Sequence, residues 1–158
     1  MMMRAAYALM LLTLAACSPP AAQSPDGASA EATSAQSPDT APSGAGDAIL
    51  AWVQQDTSGN MIGDPEIFYG DFNGDGAADA LAHYLTPLGG SNFNVNWALF
   101  RNESGAMTFV RRDESVFGTE PRDVVFANGS ITLTTTMPRE GDPRCCPTGE
   151  QSWTVSVE

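Results

Sequence analysis

The apolar positions of the chain follow two different periods. Ile49, Trp52 and Val53 recur at the i, i+3, i+4 spacing of one helical face, predicting a short helix over residues 48–55 with Asp47 as its N-cap. The run Asp56-Thr57-Ser58-Gly59-Asn60 ends it. Farther on the period is two. Phe93, Val95, Trp97 and Leu99 alternate with Asn94, Asn96 and Ala98; Ile131, Leu133, Thr135 and Met137 alternate with threonines; Trp153, Val155 and Val157 alternate with Ser152, Thr154 and Ser156. Turn residues lie between such runs: Asn102-Glu103-Ser104-Gly105, and Asn128-Gly129, a favoured two-residue hairpin loop. Short loops imply antiparallel neighbours, and clean alternation implies a sheet covered on one face. The pattern predicts an α+β, mainly β fold: an antiparallel meander of six or seven strands with one short N-terminal helix packed on one face. A small β-sandwich is the alternative.

Ahead of this region the pattern is of another kind. Met1-Met2-Met3-Arg4 is a short positive start, and residues 5–16 are apolar apart from Thr13. As a helix that run would span about 18 Å, too short for a hydrocarbon core of about 30 Å. It ends in Leu14-Ala15-Ala16-Cys17, which resembles a bacterial lipobox. The resemblance implies a signal peptide over residues 1–16, a diacylglyceryl group on Cys17 and anchoring in the cell envelope by acyl chains, palmitate among them. A second chain turns reversible membrane contact into stable anchoring. Ser18 after the Cys resembles an outer-membrane sorting signal, which implies a periplasm-facing position if the cell is Gram-negative.

Residues 18–46 are almost wholly Ala, Ser, Pro, Gly, Thr and Gln, with Asp26, Glu31 and Asp39 as their charges. Such a tract lacks the apolar surface to offset ordering entropy and is expected to be a tether reaching roughly 30 Å. The expected organisation is therefore a leader (1–16), a lipidated Cys and tether (17–46) and one β-rich domain (47–158). Charge then narrows the partners. The 158 residues carry seven Arg, no Lys, nineteen Asp and Glu, and a net charge of -12. Nucleic acid is a poor partner, since holding phosphates takes clustered cations. The membrane, through the lipid, and an envelope protein or a glycan are the partners expected.

The segment Gly70-Asp71-Phe72-Asn73-Gly74-Asp75-Gly76-Ala77-Ala78-Asp79 places oxygen side chains at loop positions 1, 3, 5 and 9 and a Gly at 6. Calcium takes six to eight oxygens, and this spacing wraps a chain around one ion. Asp71, Asn73, Asp75 and Asp79 are the candidate side-chain ligands, with Ala77 ligating through its carbonyl. Position 12, a bidentate Glu in an EF-hand, is Ala82. The loop instead resembles the D-x-[DN]-G-D-G-x-x-D loops of FG-GAP and related integrin-like repeats, over about ten residues and in one copy, so the likeness carries the loop and not a propeller. Crowded carboxylates repel by about 1 kcal/mol per pair at 4 Å in water and about 4 at an effective dielectric of 20, a cost that a structural Ca²⁺ removes.

Cys145 and Cys146 lie in Asp142-Pro143-Arg144-Cys145-Cys146-Pro147. An exported compartment is oxidising, so a vicinal disulfide is expected, although neighbouring Cα atoms lie about 3.8 Å apart against the usual 4.4–6.8 Å. The segment is similar to one in small exported bacterial proteins. A thiol-redox role is the competing reading, but the pair lacks the C-x-x-C spacing and a nearby His or Lys.

No catalytic constellation is visible. The single histidine, His83, sits mid-strand with no G-x-S-x-G elbow to serve, and one His with an adjacent Cys pair does not make a zinc site. The aromatic stretch Phe68, Tyr69, Tyr84, Phe93, Trp97 and Phe100 reads mostly as core. Phe100 falls opposite Trp97, and if the helix leaves it bare it makes an apolar patch for a glycan or a protein. The sequence points to a non-catalytic envelope or binding module, with a thiol-redox or hydrolytic accessory protein as the alternative.

Overall fold

The computed structural model describes residues 40–143 and 145–157. The leader, Cys17 and nearly all of the tether lie outside the described residues. Helix α1 (Ala45–Asp56) is followed by seven strands: β1 (Ile62–Gly70), β2 (Asp79–Gly89), β3 (Asn92–Glu103), β4 (Ala106–Asp113), β5 (Thr119–Ala127), β6 (Ser130–Met137) and β7 (Gly149–Ser156). Every paired strand is antiparallel to its sequence neighbour. The α+β, mainly β class and the meander are as the pattern predicts. The meander divides into two sheets, β1-β2-β3-β4 and β5-β6-β7.

The division falls at Asp113. Its Oδ1 accepts the Ser115 amide at 2.9 Å, an Asx turn that ends β4 and turns Val116 into the core. The two sheets face each other across Phe72, Leu81, Trp97, Leu99, Val116, Phe126, Ile131, Leu133 and Val155, all buried. The opposite face of the four-stranded sheet carries Ala80, Ala82, Tyr84, Ala98 and Phe100, and α1 lays Ile49 and Val53 on it. Three alanines there let the helix approach the sheet closely. The result is three layers: helix, four-stranded sheet, three-stranded sheet.

Two expectations are thereby corrected. The four-stranded sheet is covered on both faces, so residues 79–84 of β2 are buried without alternation. The helix covers Phe100, which is 1% exposed and meets Trp52 edge-on with ring centroids 5.2 Å apart, so the condition for an apolar patch at this residue is not met. The helix also starts earlier. Its N-cap is Gly44 at φ 75, and Asp47 lies within the first turn, where its charge complements the helix dipole. The cap falls to glycine because only a residue free of a Cβ adopts that left-handed conformation at no cost. The folded region thus extends ahead of residue 47 and includes Ala45, which is buried.

Candidate functional site

The acidic loop is the β1–β2 connection, pinched by the Gly70–Asp79 pair that closes the ladder. Gly74 at φ 79 and Gly76 at φ 84 supply the left-handed turns, and Asp71, Asn73 and Asp75 each accept amides ahead of them. Asp71 Oδ1 accepts from Asn73 at 3.2 Å and Gly74 at 2.6 Å, and Oδ2 accepts from Gly76 at 2.7 Å. Asn73 Oδ1 accepts the Asp75 amide at 2.9 Å, and Asp75 Oδ1 accepts that of Ala77 at 2.7 Å. Asn73 Nδ2 donates to Asp75 Oδ2 at 2.9 Å. The Ala77 amide, followed by the Asn73 side chain, holds the Asp75 carboxyl below its ordinary range. The loop's own donors thus face its acidic side chains and offset part of their mutual repulsion.

Asp79 has a different part from its three companions. It is 0% exposed, and its carboxylate is shared by two backbone amides: Oδ1 accepts from Asn102 at 2.8 Å, Oδ2 from Phe72 at 3.3 Å. Burial pushes this carboxyl above its ordinary range; the Asn102 and Phe72 amides pull it down, and the charges of Asp75 and Asp71 add to the rise. Among the described residues no three His, Cys, Asp or Glu side chains converge as an ion site. The structure places Asp71, Asn73 and Asp75 together on the loop and sets Asp79 beneath them as a clamp between the loop and β3. Oxygens that accept one amide keep a further lone pair, so Asp71, Asn73 and Asp75 fit a hard cation in donor type.

The loop is also bound to the second sheet. Phe72, fully buried, enters the inter-sheet core, and its carbonyl accepts the Gly129 amide at the tip of the β5–β6 hairpin at 2.7 Å. Gly70 lies against Phe126: a Cβ there would stand 2.4 Å from Phe126 Cγ. The loop thus joins the two sheets.

Cys145 and Cys146 are free thiols, both exposed, and the expected vicinal bridge is not formed in this structure. The physical obstacle is the short Cα separation of sequence neighbours, which a disulfide tolerates only with strain. A hydrogen bond with Cys145, and then burial, pushes the Cys146 thiol up, the reverse of what an attacking thiolate needs. The segment is closed by Asp142, whose Oδ2 accepts the amides of Arg139 at 2.8 Å and Thr148 at 2.7 Å and whose Oδ1 accepts the Thr148 hydroxyl at 2.9 Å. Both cysteines line a cleft of about 1420 Å³ with Leu88 and Phe93 from the β2–β3 hairpin and with Glu120 and Thr136 from the second sheet. This cleft brings together segments far apart in sequence, and no local signal pointed to it.

His83 is buried against Trp97, ring centroids 4.6 Å apart, with Nδ1 3.1 Å from Glu66 Oε2. Burial pushes its imidazole below the ordinary range, while the Glu66 hydrogen bond and charge oppose that. Among the described residues, its Nε2 and the Trp97 Nε1 are buried without a partner. The histidine is a packing residue with one hydrogen bond, as a lone strand histidine is expected to be. No protein-family model, curated protein or solved structure matches the chain.

Proposed function

We propose that this chain is an exported lipoprotein, anchored through Cys17, whose three-layer domain serves as a non-catalytic binding module of the cell envelope with one structural calcium ion in its acidic loop. The observation that carries the reading is the leader: a positive start, an apolar run too short to span, and Leu14-Ala15-Ala16-Cys17 at its end. Supporting it, a biased tract separates that Cys from the helix at Ala45, so the folded part would stand off the membrane.

Calcium would be held by the side-chain oxygens of Asp71, Asn73 and Asp75 and by the Ala77 carbonyl, with Asp79 restraining the loop from below. The amides already aim the first three side chains, which lowers the ordering entropy that binding costs. With few monodentate ligands, affinity in the range of about 10⁻⁴ to 10⁻³ M is expected, as in extracellular modules.

Growth of expressing bacteria with a clickable palmitate analogue tests the anchor. The wild-type chain should take up the label and fractionate with membranes, and Cys17→Ser should lose both properties. Labelling that survives Cys17→Ser, or a wild-type chain that stays unlabelled, would overturn the lipoprotein reading.

A further inference from the structure

We propose that Cys145 and Cys146 form a two-thiolate site for one soft monovalent cation, of the copper(I) or silver(I) type, on the lining of the cleft between the β2–β3 hairpin and the second sheet. Three observations bear on it. The thiols are free, exposed and adjacent in the chain. The Cys146 amide donates to the Pro143 carbonyl at 3.0 Å, and Asp142 Oδ2 accepts the amides of both Arg139 and Thr148. Their surroundings suit a soft cation, with apolar Leu88 and Phe93 and the carboxylate-bearing Glu120 lining the same cleft in a chain of net charge -12.

Geometry favours an ion over a bridge. A disulfide between sequence neighbours must bring the sulfurs to about 2.05 Å over a single peptide unit. A metal inserted between them, with bonds of about 2.3 Å each, lets the sulfurs stand up to about 4.6 Å apart and enlarges the ring by one atom. Thiolate is also the donor class that selects soft ions. The step is proton-balanced: each S–H bond breaks, two S–metal bonds form, two protons pass to solvent, and the thiolate–metal unit carries one negative charge. No electron is transferred. The acidic loop lies on other residues and takes hard cations, so the two sites do not compete.

Silver(I) serves as a redox-inert probe. The full chain, purified in detergent and reduced with a phosphine, is titrated in chloride-free buffer and read by native mass spectrometry and by competition with a chromophoric chelator. One silver ion per chain is expected in the wild type and equally in Cys17→Ser. Cys145→Ser and Cys146→Ser should each weaken binding by about 100-fold or more, because one thiol loses its chelating partner. Circular dichroism of both variants should match the wild type, since the two side chains are exposed. Affinity unchanged in either serine variant, or absence of a one-to-one species, overturns the site. Neither result touches the lipoprotein reading, whose test is the label on Cys17.

Discussion

Removing the Asp79 carboxylate should loosen the joint between the acidic loop and the sheets. Its oxygens accept the Asn102 amide at 2.8 Å and the Phe72 amide at 3.3 Å in a site closed to solvent. Hydrogen bonds to a charged group contribute about 1.5–3 kcal/mol each, the longer one toward the low end, and an orphaned buried amide costs about 1–3. Relief of the buried charge offsets part of this. Asp79→Ala should therefore destabilise the domain by about 3–5 kcal/mol, a large share of the roughly 5–15 kcal/mol of a typical domain. With a urea slope of about 1–3 kcal/mol/M the midpoint should fall by about 2 M. Asp79→Asn keeps one acceptor but turns an NH₂ toward one amide, and should cost about 1–2 kcal/mol. Both variants and the wild type are unfolded in urea with tryptophan fluorescence as readout, once with excess calcium and once with chelator. A clamp that works through amides leaves the deficit in chelator. A deficit of under about 0.5 kcal/mol there would refute the reasoning, and a deficit seen only with calcium would return Asp79 to the ligands.

Other perturbations probe separate layers. Calcium at about 10 mM should stabilise the wild type by about 1.4–2.7 kcal/mol if affinity lies near 10⁻³–10⁻⁴ M; differential scanning fluorimetry should show the melting temperature rise, and Asp75→Ala should remove the rise. Gly70→Ala, whose Cβ would meet Phe126 Cγ at 2.4 Å, should cost about 1–3 kcal/mol by overpacking, read as a lower urea midpoint and partly restored by Phe126→Leu. His83 has its folded pKa lowered from 6.5, so the unfolded chain takes up the proton first as pH falls. Stability present above about pH 6.5 should drain away as pH drops from there toward the folded value. Urea midpoints at pH 7.5 and 5.0 should differ more in the wild type than in His83→Phe, and equal differences would remove His83 as the cause.

Much of the local architecture was legible in the chain. Period-two runs marked β3, β6 and β7, because successive side chains of a strand point to opposite faces, and Asn128-Gly129 and Ser104-Gly105 marked hairpins. At those tips Ser104 stands at φ 56, Gly105 at φ 97 and Gly129 at φ 84, conformations for which residue type alone is informative. The order of side chains in the acidic loop likewise sufficed for its turns, since Asp71, Asn73 and Asp75 each reach amides only a few residues ahead. Strand β1 escaped detection because Gly63 and Pro65 interrupt it and its register shifts between Ile62 and Glu66.

Tertiary structure decided the rest. Whether Phe100 lay bare, whether one sheet or two formed, and whether Asp79 faced an ion or an amide all depended on partners at long sequence separation: Trp52 with Phe100, the break after Asp113, and the Asn102 amide 23 residues from Asp79. Local pattern reports how much of a side chain is hidden. It carries no record of what hides it, because burial is non-directional and many packings conceal the same face. The cleft beside Cys145 and Cys146 is of this second kind, assembled only when the β2–β3 hairpin and the β6–β7 connection meet.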